Sequence, residues 1–301
     1  MDVGKRTSRI DVRSTLLEAM QDSMTCLSTD YTIDELISVC IARQVIDGEV
    51  LAQGIATPLV MAGYLLAKHT RAPNISFASA IGGALVDDPT AVGLTRVEKL
   101  WLSHPLITFS FAQIACELLL RFQPKEFFRP AQLDAAGNFN NVAIGADYAH
   151  PRMRLPGCGG IADVTTYYRE IYLYVPRHSR AVFVQCLDFG SGLGHSPDRR
   201  LGAGPCYLVS NLGQFDFDGG RMRLTAYHPG VTVDKIRAKT GFPLHISPDL
   251  AETTPPTVED VHLLRTVIDP LGIRRLETLS GAARKRALRD IVSRENEDVS
   301  T

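Results

Sequence analysis

Between Thr32 and Ser79 the sequence alternates two segments of helical periodicity with two short apolar runs. That order restricts the fold more than any other feature of the chain. In TIDELISVCIARQV, Ile33, Leu36, Ile37, Cys40 and Ile41 recur at helical intervals, and Thr32 precedes Glu35 by the three residues of a capping box. EVLAQGIA reads as a short buried strand. TPLVMAGYLLAKH then offers Thr57 as a cap and Pro58 in the first helical turn. NISFAS, after Ala72-Pro73, is a second short apolar strand. Helix, strand, helix, strand predicts an α/β fold with a parallel sheet.

Downstream, a long helix is expected within SFAQIACELLLRF. PAQLDAAGNFNNVAIG reads as strand, turn and strand, the turn built on Asp134, Gly137 and Asn138. Strands are predicted at REIYLYV, AVFVQCLDF, CYLVSN and RMRLTAY, and helices at VDKIRAKTGF and TVEDVHLLRTVI, the latter with Thr257 and Asp260 at cap spacing. Residues 14–26 are weakly helical, and the pattern from Gly82 to Pro105, which contains the only tryptophan, Trp101, is irregular. From Arg274 onward, mixed basic and acidic residues suggest a solvated helix or tail. No internal repeat or linker divides the chain. The expected organisation is an N-terminal extension (1–31), one domain (32–275) and a charged C-terminal tail (276–301).

Composition narrows the functional classes. With 45% hydrophobic and 22% charged residues the chain is an ordinary soluble globular protein, and 301 residues suffice for a large core. A formal net charge of -1 supplies no general attraction to nucleic acid or to an anionic membrane. The start, MDVGKRTSRIDVRS, lacks an apolar signal core, and no uninterrupted apolar run approaches the roughly 18 residues of a membrane span. The six cysteines form no CxxC pair and no zinc-ligand spacing. They are expected to be reduced, mostly buried thiols in a cytoplasmic protein, with no metal site.

The stretch RLPGCGGIADVT, Arg154 to Thr165, places three glycines in four positions. Glycine costs conformational entropy on folding, so such a cluster implies a backbone path that side chains would obstruct. Amides left free by a tight turn can converge on a negative oxygen, either of a phosphate or of a thioester carbonyl gaining charge during attack. A simple surface turn is the competing reading. GCGGIA does not supply the G-x-G-x-x-G of a dinucleotide fold. Upstream, Asn138, Asn140 and Asn141 are placed either to brace the glycine loop or merely to furnish a polar hairpin turn.

The succession QLDAAGNFNNVAIG, DYAHPRMRLPGCGG, LVSNLGQFDF, RMRLTAYHPGV, TGFPL and IDPLG resembles the β subunit of family I CoA-transferases, the glutaconate CoA-transferase branch in particular. The similarity runs from about Thr32 to Arg275. It implies an open three-layer α/β/α sheet, an α-type partner of related fold in a hetero-oligomer, and an acyl-CoA thioester bound near their interface. Coenzyme A would then enter as part of the substrate, with no permanently bound cofactor. The resemblance also implies that Gly157, Gly159 and Gly160, with Cys158 at the variable position, face the thioester oxygen, with Asn138 and Asn140 nearby.

Transferases of this family use a glutamate at the end of the second strand as nucleophile. In APNISFASAIGG that place falls on Ala78 or Ser79, neither of which can form an acyl anhydride, and Asp87 and Asp88 lie too far along. Two relatives of the scaffold dispense with the usual transfer: the ring-opening acyl-CoA hydrolase of steroid degradation, resembled through SNLGQFDF and HPGV, and a decarboxylase of branched unsaturated acyl-CoA. Ser79 and His150, the latter with Asp147, are the candidate polar groups of the site. His104, His228 and His195 are expected in turns or exposed loops. The functional expectation is a β-type subunit of a CoA-transferase-like enzyme lacking the usual glutamate nucleophile. The alternatives are a hydrolase or decarboxylase component, a non-catalytic CoA-binding scaffold, and an unrelated sugar-phosphate or nucleotide binder.

Overall fold

The computed structural model describes residues 26–54, 57–79, 83–95 and 104–297. The first periodic segment forms helix α1 (Ile33–Arg43), where the Thr32 amide donates to Glu35 Oε2 at 2.8 Å. Strand β1 (Val50–Ala52) leads to helix α2 (Pro58–Thr70), with Pro58 in its first turn, and then to β2 (Ser76–Ser79). The glycine inside α2 has a packing cause: a Cβ on Gly63 would stand 2.7 Å from Ile41 Cγ2 and from the Ser38 carbonyl oxygen. Only a residue without a side chain lets α1 and α2 approach so closely.

Two short strands, β3 (Ala84–Val86) and β4 (Ile107–Thr108), precede a helical stretch α3. It comprises Phe111–Gln113 and Leu119–Phe122 joined by a π-helical Ile114–Leu118. Next come β5 (Lys125–Phe128) and two antiparallel pairs, β6 (Gln132–Leu133) with β7 (Phe139–Asn140) and β8 (Ala143–Ile144) with β9 (Met153–Arg154). Helix α4 (Ile161–Tyr167) follows the glycine cluster and feeds β10 (Glu170–Val175). The remainder is β11 (Gly204–Ser210), β12 (Gly213–Asp218), β13 (Arg221–Tyr227), α5 (Val233–Lys239), β14 (His245–Glu252), α6 (Val258–Leu263) continued by a π-helical Leu264–Ile268, a 3-10 turn Ile273–Glu277 and α7 (Gly281–Glu297).

Ten strands form one sheet in the order β14-β13-β12-β11-β10-β5-β1-β2-β3-β4. Its centre, from β11 to β2, is parallel, and both flanks are reached by antiparallel pairing. Alternation along the strands sorts side chains between two buried faces. Leu51, Phe77, Phe127, Tyr172 and Tyr174 pack with α1 and α2. Ile171, Leu173 and Val175 pack on the other face with Phe139, Phe183 and Ile236 of α5. Ala78 packs there too, with Ile114 and Leu119 of α3 and with Tyr168. The result is the expected three-layer α/β/α arrangement, both faces of the parallel centre being covered.

Several expectations need correction. AVFVQCLDF is not a strand: its backbone crosses the sheet face, exchanging bonds with Leu133 at Val182 and Val184 and accepting from the Gly241 amide at Phe183. The apolar run exists to insert Phe183, which is fully buried and stacked on His178 at 3.6 Å. Strand β14 carries no strong alternation in HISPDLAE and is held by parallel pairing to β13. The thiols are mostly not buried either: Cys40 is, but Cys26, Cys116 and Cys186 are exposed, and all six are free. The charged C-terminal stretch forms α7, solvated along most of its length but fixed by buried Ile291 and by Glu295, which accepts from the Leu94 and Thr95 amides at 2.8 Å. Residues 14–25 and Trp101 lie outside the described residues.

Candidate active site

Helix α4 precedes β10 and runs back along it, so the loop that starts the helix lies toward the carboxyl ends of the parallel strands. In open α/β sheets that edge is where ligands bind. The loop has the backbone its sequence demanded. Gly157 (φ +104°) and Gly159 (φ +50°) occupy the region that side chains disfavour. A Cβ on either would meet nothing within 4 Å, so the glycines are not there to relieve a contact inside the protein. The Gly157 amide donates to the Asn141 carbonyl at 3.0 Å, and the Cys158 carbonyl accepts from Ile161 at 2.8 Å. The amides of Cys158, Gly159 and Gly160 have no acceptor among the described residues. Three successive free donors in a partly exposed turn are available to a negative oxygen.

Below it lies a platform of the opposite character. Asn138 donates from Nδ2 to Asp134 Oδ2 (3.0 Å) and accepts at Oδ1 from the Gly194 amide (2.8 Å). Asn140, fully buried, donates to Gln132 Oε1 (2.8 Å) and the Ala143 carbonyl (2.6 Å) while accepting from the Val142 amide (2.9 Å). Both side chains are engaged within the fold, and Asn141 supplies the direct brace to Gly157. At Gly194 a Cβ would fall 2.3 Å from the Asn138 nitrogen, so the chain there has no room for any substitution.

The remaining candidates are dispersed. His150 sits on the surface, Nδ1 3.1 Å from Asp147 Oδ2, both side chains well exposed. The hydrogen bond from His150 holds the Asp147 carboxyl below its ordinary range. Ser79 ends β2, where its backbone pairs with Ala84; its side chain lies outside what is described. His195 is packed on Phe217, its Nε2 2.8 Å from the Pro205 carbonyl oxygen, and so is an anchor, not an exposed loop residue. His228, as expected, is structural: it is buried between Thr253 Oγ1 (3.0 Å) and the Ser210 carbonyl (2.8 Å). Burial pushes it down to about 4 and pushes His178 down to about 3. Both are therefore neutral fittings near pH 7. Among the described residues, no three His, Cys, Asp or Glu side chains converge as a metal site, and no helix is long and apolar enough to cross a membrane.

One functional candidate emerges only from the structure. Glu126 is the second residue of β5, a central strand otherwise buried on both faces. It is in register with Ala52, which in turn is in register with Ala78. Its carboxyl passes the end of β1, where a Cβ on Gly54 would stand 3.8 Å from Glu126 Oε1. It keeps some solvent exposure, yet burial pushes it up to about 7. The only sequence signal for it is a charge inside KEFF, next to another, Lys125. That lysine points to the opposite face, 2.7 Å from Glu49 Oε2.

Comparison with known proteins bears on the family. Residues 125–239 match the family model for coenzyme A transferase. The chain is 31% identical over 260 residues to the B-type subunit of glutaconate CoA-transferase from Acidaminococcus fermentans, covering 80% of this chain and 94% of that protein. It is 31% identical over 249 residues to the cholesterol ring-cleaving hydrolase IpdB subunit of Mycobacterium tuberculosis, covering 77% and 92%. Among solved structures, the decarboxylase AibA/AibB superposes with a TM-score of 0.70 at 29% identity, covering 82% of this chain and 98% of that one.

Proposed function

The chain belongs to the coenzyme A transferase family, and on that premise we propose that it is the β-type subunit of an enzyme that processes an acyl-CoA thioester together with an α-type partner. The thioester carbonyl faces the amides of Cys158, Gly159 and Gly160. Those donors are fixed before the substrate arrives, so they stabilise charge on the oxygen without reorganising; removing one such donor typically costs about 10²–10³ in rate. Asn138 and Asn140 hold the loop's support and do not touch the ligand. Coenzyme A is part of the substrate, and no resident cofactor is required.

The end of β2 bears on the reaction class. Ala78 is an alanine and Ser79 a serine, so neither can accept the acyl group as an anhydride and carry CoA as a glutamyl thioester. This favours hydrolysis or decarboxylation of the acyl group, the activities named for the mycobacterial and AibA/AibB relatives, over transfer. Six free cysteines, three of them exposed, favour the reducing cytoplasm.

The test is to incubate the complex of this chain and its α-type partner with an acyl-CoA and follow the protein and the CoA products by mass spectrometry. Loss or cleavage of the acyl group with no CoA adduct on a carboxylate is expected. An adduct on this chain overturns the non-transferase reading. Binding of the thioester with no turnover in the intact complex makes this chain a scaffold and overturns the enzymatic one.

A further inference from the structure

A ligand-sized cavity lies outside the carboxyl ends of β10 and β11, at the edge of the sheet where open α/β folds bind ligands. Its volume is about 520 Å³, and it is bordered by Arg180, by Arg237 and by the segment from Thr240 to Leu244, with no residue of the glycine loop. His178, just past the end of β10, ties the walls together. Its Nδ1 lies 3.0 Å from Ser210 Oγ at the end of β11 and its Nε2 3.0 Å from Thr240 Oγ1. The Gly241 amide donates to the Phe183 carbonyl at 2.8 Å, and a Cβ on Gly241 would stand 2.3 Å from that same oxygen. The lining is therefore fixed before any ligand arrives.

The chemistry of this cavity is cationic. The two stretches that supply its arginines, 177–180 and 233–239, carry exposed Arg177, Arg180, Lys235, Arg237 and Lys239 against one acid, Asp234. That excess stands in a chain whose formal net charge is -1. No lining residue is acidic. The Arg180 guanidinium has no partner among the described residues, and Arg237 has a loose contact, 3.8 Å to the well-exposed Asp234. Backbone donors join them: the Phe242 and Leu244 amides have no acceptor among the described residues. Phe242 is 5% exposed, and the amide of so buried a residue is normally paired. Arginines beside unpaired amides are the donors that phosphate oxygens take. The space is far larger than one phosphate requires, since a water molecule takes only about 30 Å³ in the liquid. Phe242, Pro243 and Leu244 give the remainder an apolar wall.

We propose that this cavity binds the phosphates of a nucleotide-sized organic phosphate, with Arg180 and Arg237 on the phosphate oxygens and the apolar wall beside the organic part. The charge excess favours a diphosphate over a single carboxylate, because each further anionic oxygen enters a field of cations that one exposed acid offsets. Two sources offer that chemistry: the nucleotide end of a coenzyme A thioester, and a free nucleotide such as ADP. Only the first source rests on the thioester reading above; the site itself does not. The assignment concerns recognition, and no bond to the ligand is made or broken here.

The experiment is calorimetric titration of the complex with its α-type partner, wild type beside the double variant Arg180→Ala, Arg237→Ala. Both arginines are exposed, so the variant should melt with wild type. ADP should bind wild type, more weakly as salt is raised, and bind the variant at least about ten-fold more weakly. The double variant Arg180→Lys, Arg237→Lys keeps both charges and should recover part of that loss. Butyryl-CoA and butyryl-pantetheine separate the sources. If the alanine variant loses affinity for butyryl-CoA but not for butyryl-pantetheine, the nucleotide end of the thioester occupies the cavity. If ADP alone is weakened, the occupant is a separate nucleotide; either result supports the site. No binding of ADP by wild type, equal ADP affinity in wild type and the alanine variant, or an equal loss with butyryl-pantetheine overturns it. Failure of wild type to bind either thioester, with the ADP difference intact, overturns the thioester reading and leaves the site standing.

Discussion

On the face of the sheet covered by α1 and α2, Asp34, Glu35, Asp269 and Glu277 are all buried, and each lies against an arginine. On the other face Glu126 has neither an arginine nor a hydrogen bond from the described residues. Arg274, itself 3% exposed, reaches Glu35 Oε1 at 2.8 Å and Asp269 Oδ2 at 3.0 Å; its Nε lies 3.0 Å from Asp34 Oδ2 as a charge contact without the alignment of a hydrogen bond. Glu277 joins Arg129 at 2.9 Å and accepts from the Tyr174 hydroxyl and the Leu59 amide at 3.0 Å each. The first set ties α1, α2 and the 3-10 turn to the sheet. The acids on one side are buried and paired with arginine, whereas Glu126 on the other is partly exposed and unpaired among the described residues.

The largest expected effect breaks the paired side. Arg274→Ala leaves three buried carboxylates facing each other without their shared cation, although Arg265 still reaches Glu35 at 2.7 Å. Removing one partner of a buried pair typically costs about 3–5 kcal/mol, and this arginine serves three. Chemical denaturation of the purified complex should show a loss at or above that range. A loss under about 1 kcal/mol would mean that the cluster is not what holds α1 to the C-terminal turn.

A smaller, pH-dependent effect sharpens the unpaired side. The folded state raises Glu126 from 4.5 to about 7, so it binds more protons than the unfolded chain between those values. Stability tied to this group is therefore fully present below about 4.5 and is lost as pH rises through 7, a cost of order 3 kcal/mol by pH 8. Glu126→Gln carries no charge and escapes it. Relative to wild type, the variant should gain stability between pH 5 and pH 8, measured by denaturation at both. A variant equally offset at the two values would show that Glu126 is ionised with an undetected partner. His178 and His228 act at the other end: their depressed values favour folding above 6.5 and withdraw that support as pH falls toward 4 and 3, so the comparison is best made at and above pH 5.

The contrast also explains what the sequence could disclose. The helices α1 and α2, the strands β1, β2, β10, β11 and β13, and the capping at Thr32 and Thr257 are legible because periodicity and cap spacing are local. The glycine loop is legible as a backbone demand, and its positive φ values meet it. One apolar segment misleads because tertiary context overrides pattern: AVFVQCLDF delivers one phenylalanine into the core, whereas HISPDLAE, which carries no strand pattern of its own, becomes a strand through its neighbour. Glu126 is illegible for a different reason. In KEFF it looks like a surface charge beside a lysine, and only the register of β5 with β1 shows that the two charges point to opposite faces. A candidate site formed by residues that are distant in sequence but level across a sheet leaves no spacing to read.

The smallest effect on stability is expected at the loop, and there it separates folding from function. At Gly159 the backbone is left-handed, φ +50°, but a side chain would meet nothing within 4 Å. Gly159→Ala therefore costs only the conformational penalty, about 1–2 kcal/mol, with no collision to add to it. That corresponds to a fall of only a few degrees in Tm for a protein of this size. The same alteration at Gly194 drives a methyl group to 2.3 Å from a backbone nitrogen of the platform and must displace the 134–138 turn. If the free amides of Cys158, Gly159 and Gly160 stabilise the thioester oxygen, Gly159→Ala should nonetheless lower turnover by about 10²-fold, because relaxing that strain turns a donor away from the oxygen. A Gly159→Ala complex that melts within a few degrees of wild type and turns over at the wild-type rate would show that the open loop is a surface turn. The oxygen would then have to be held elsewhere.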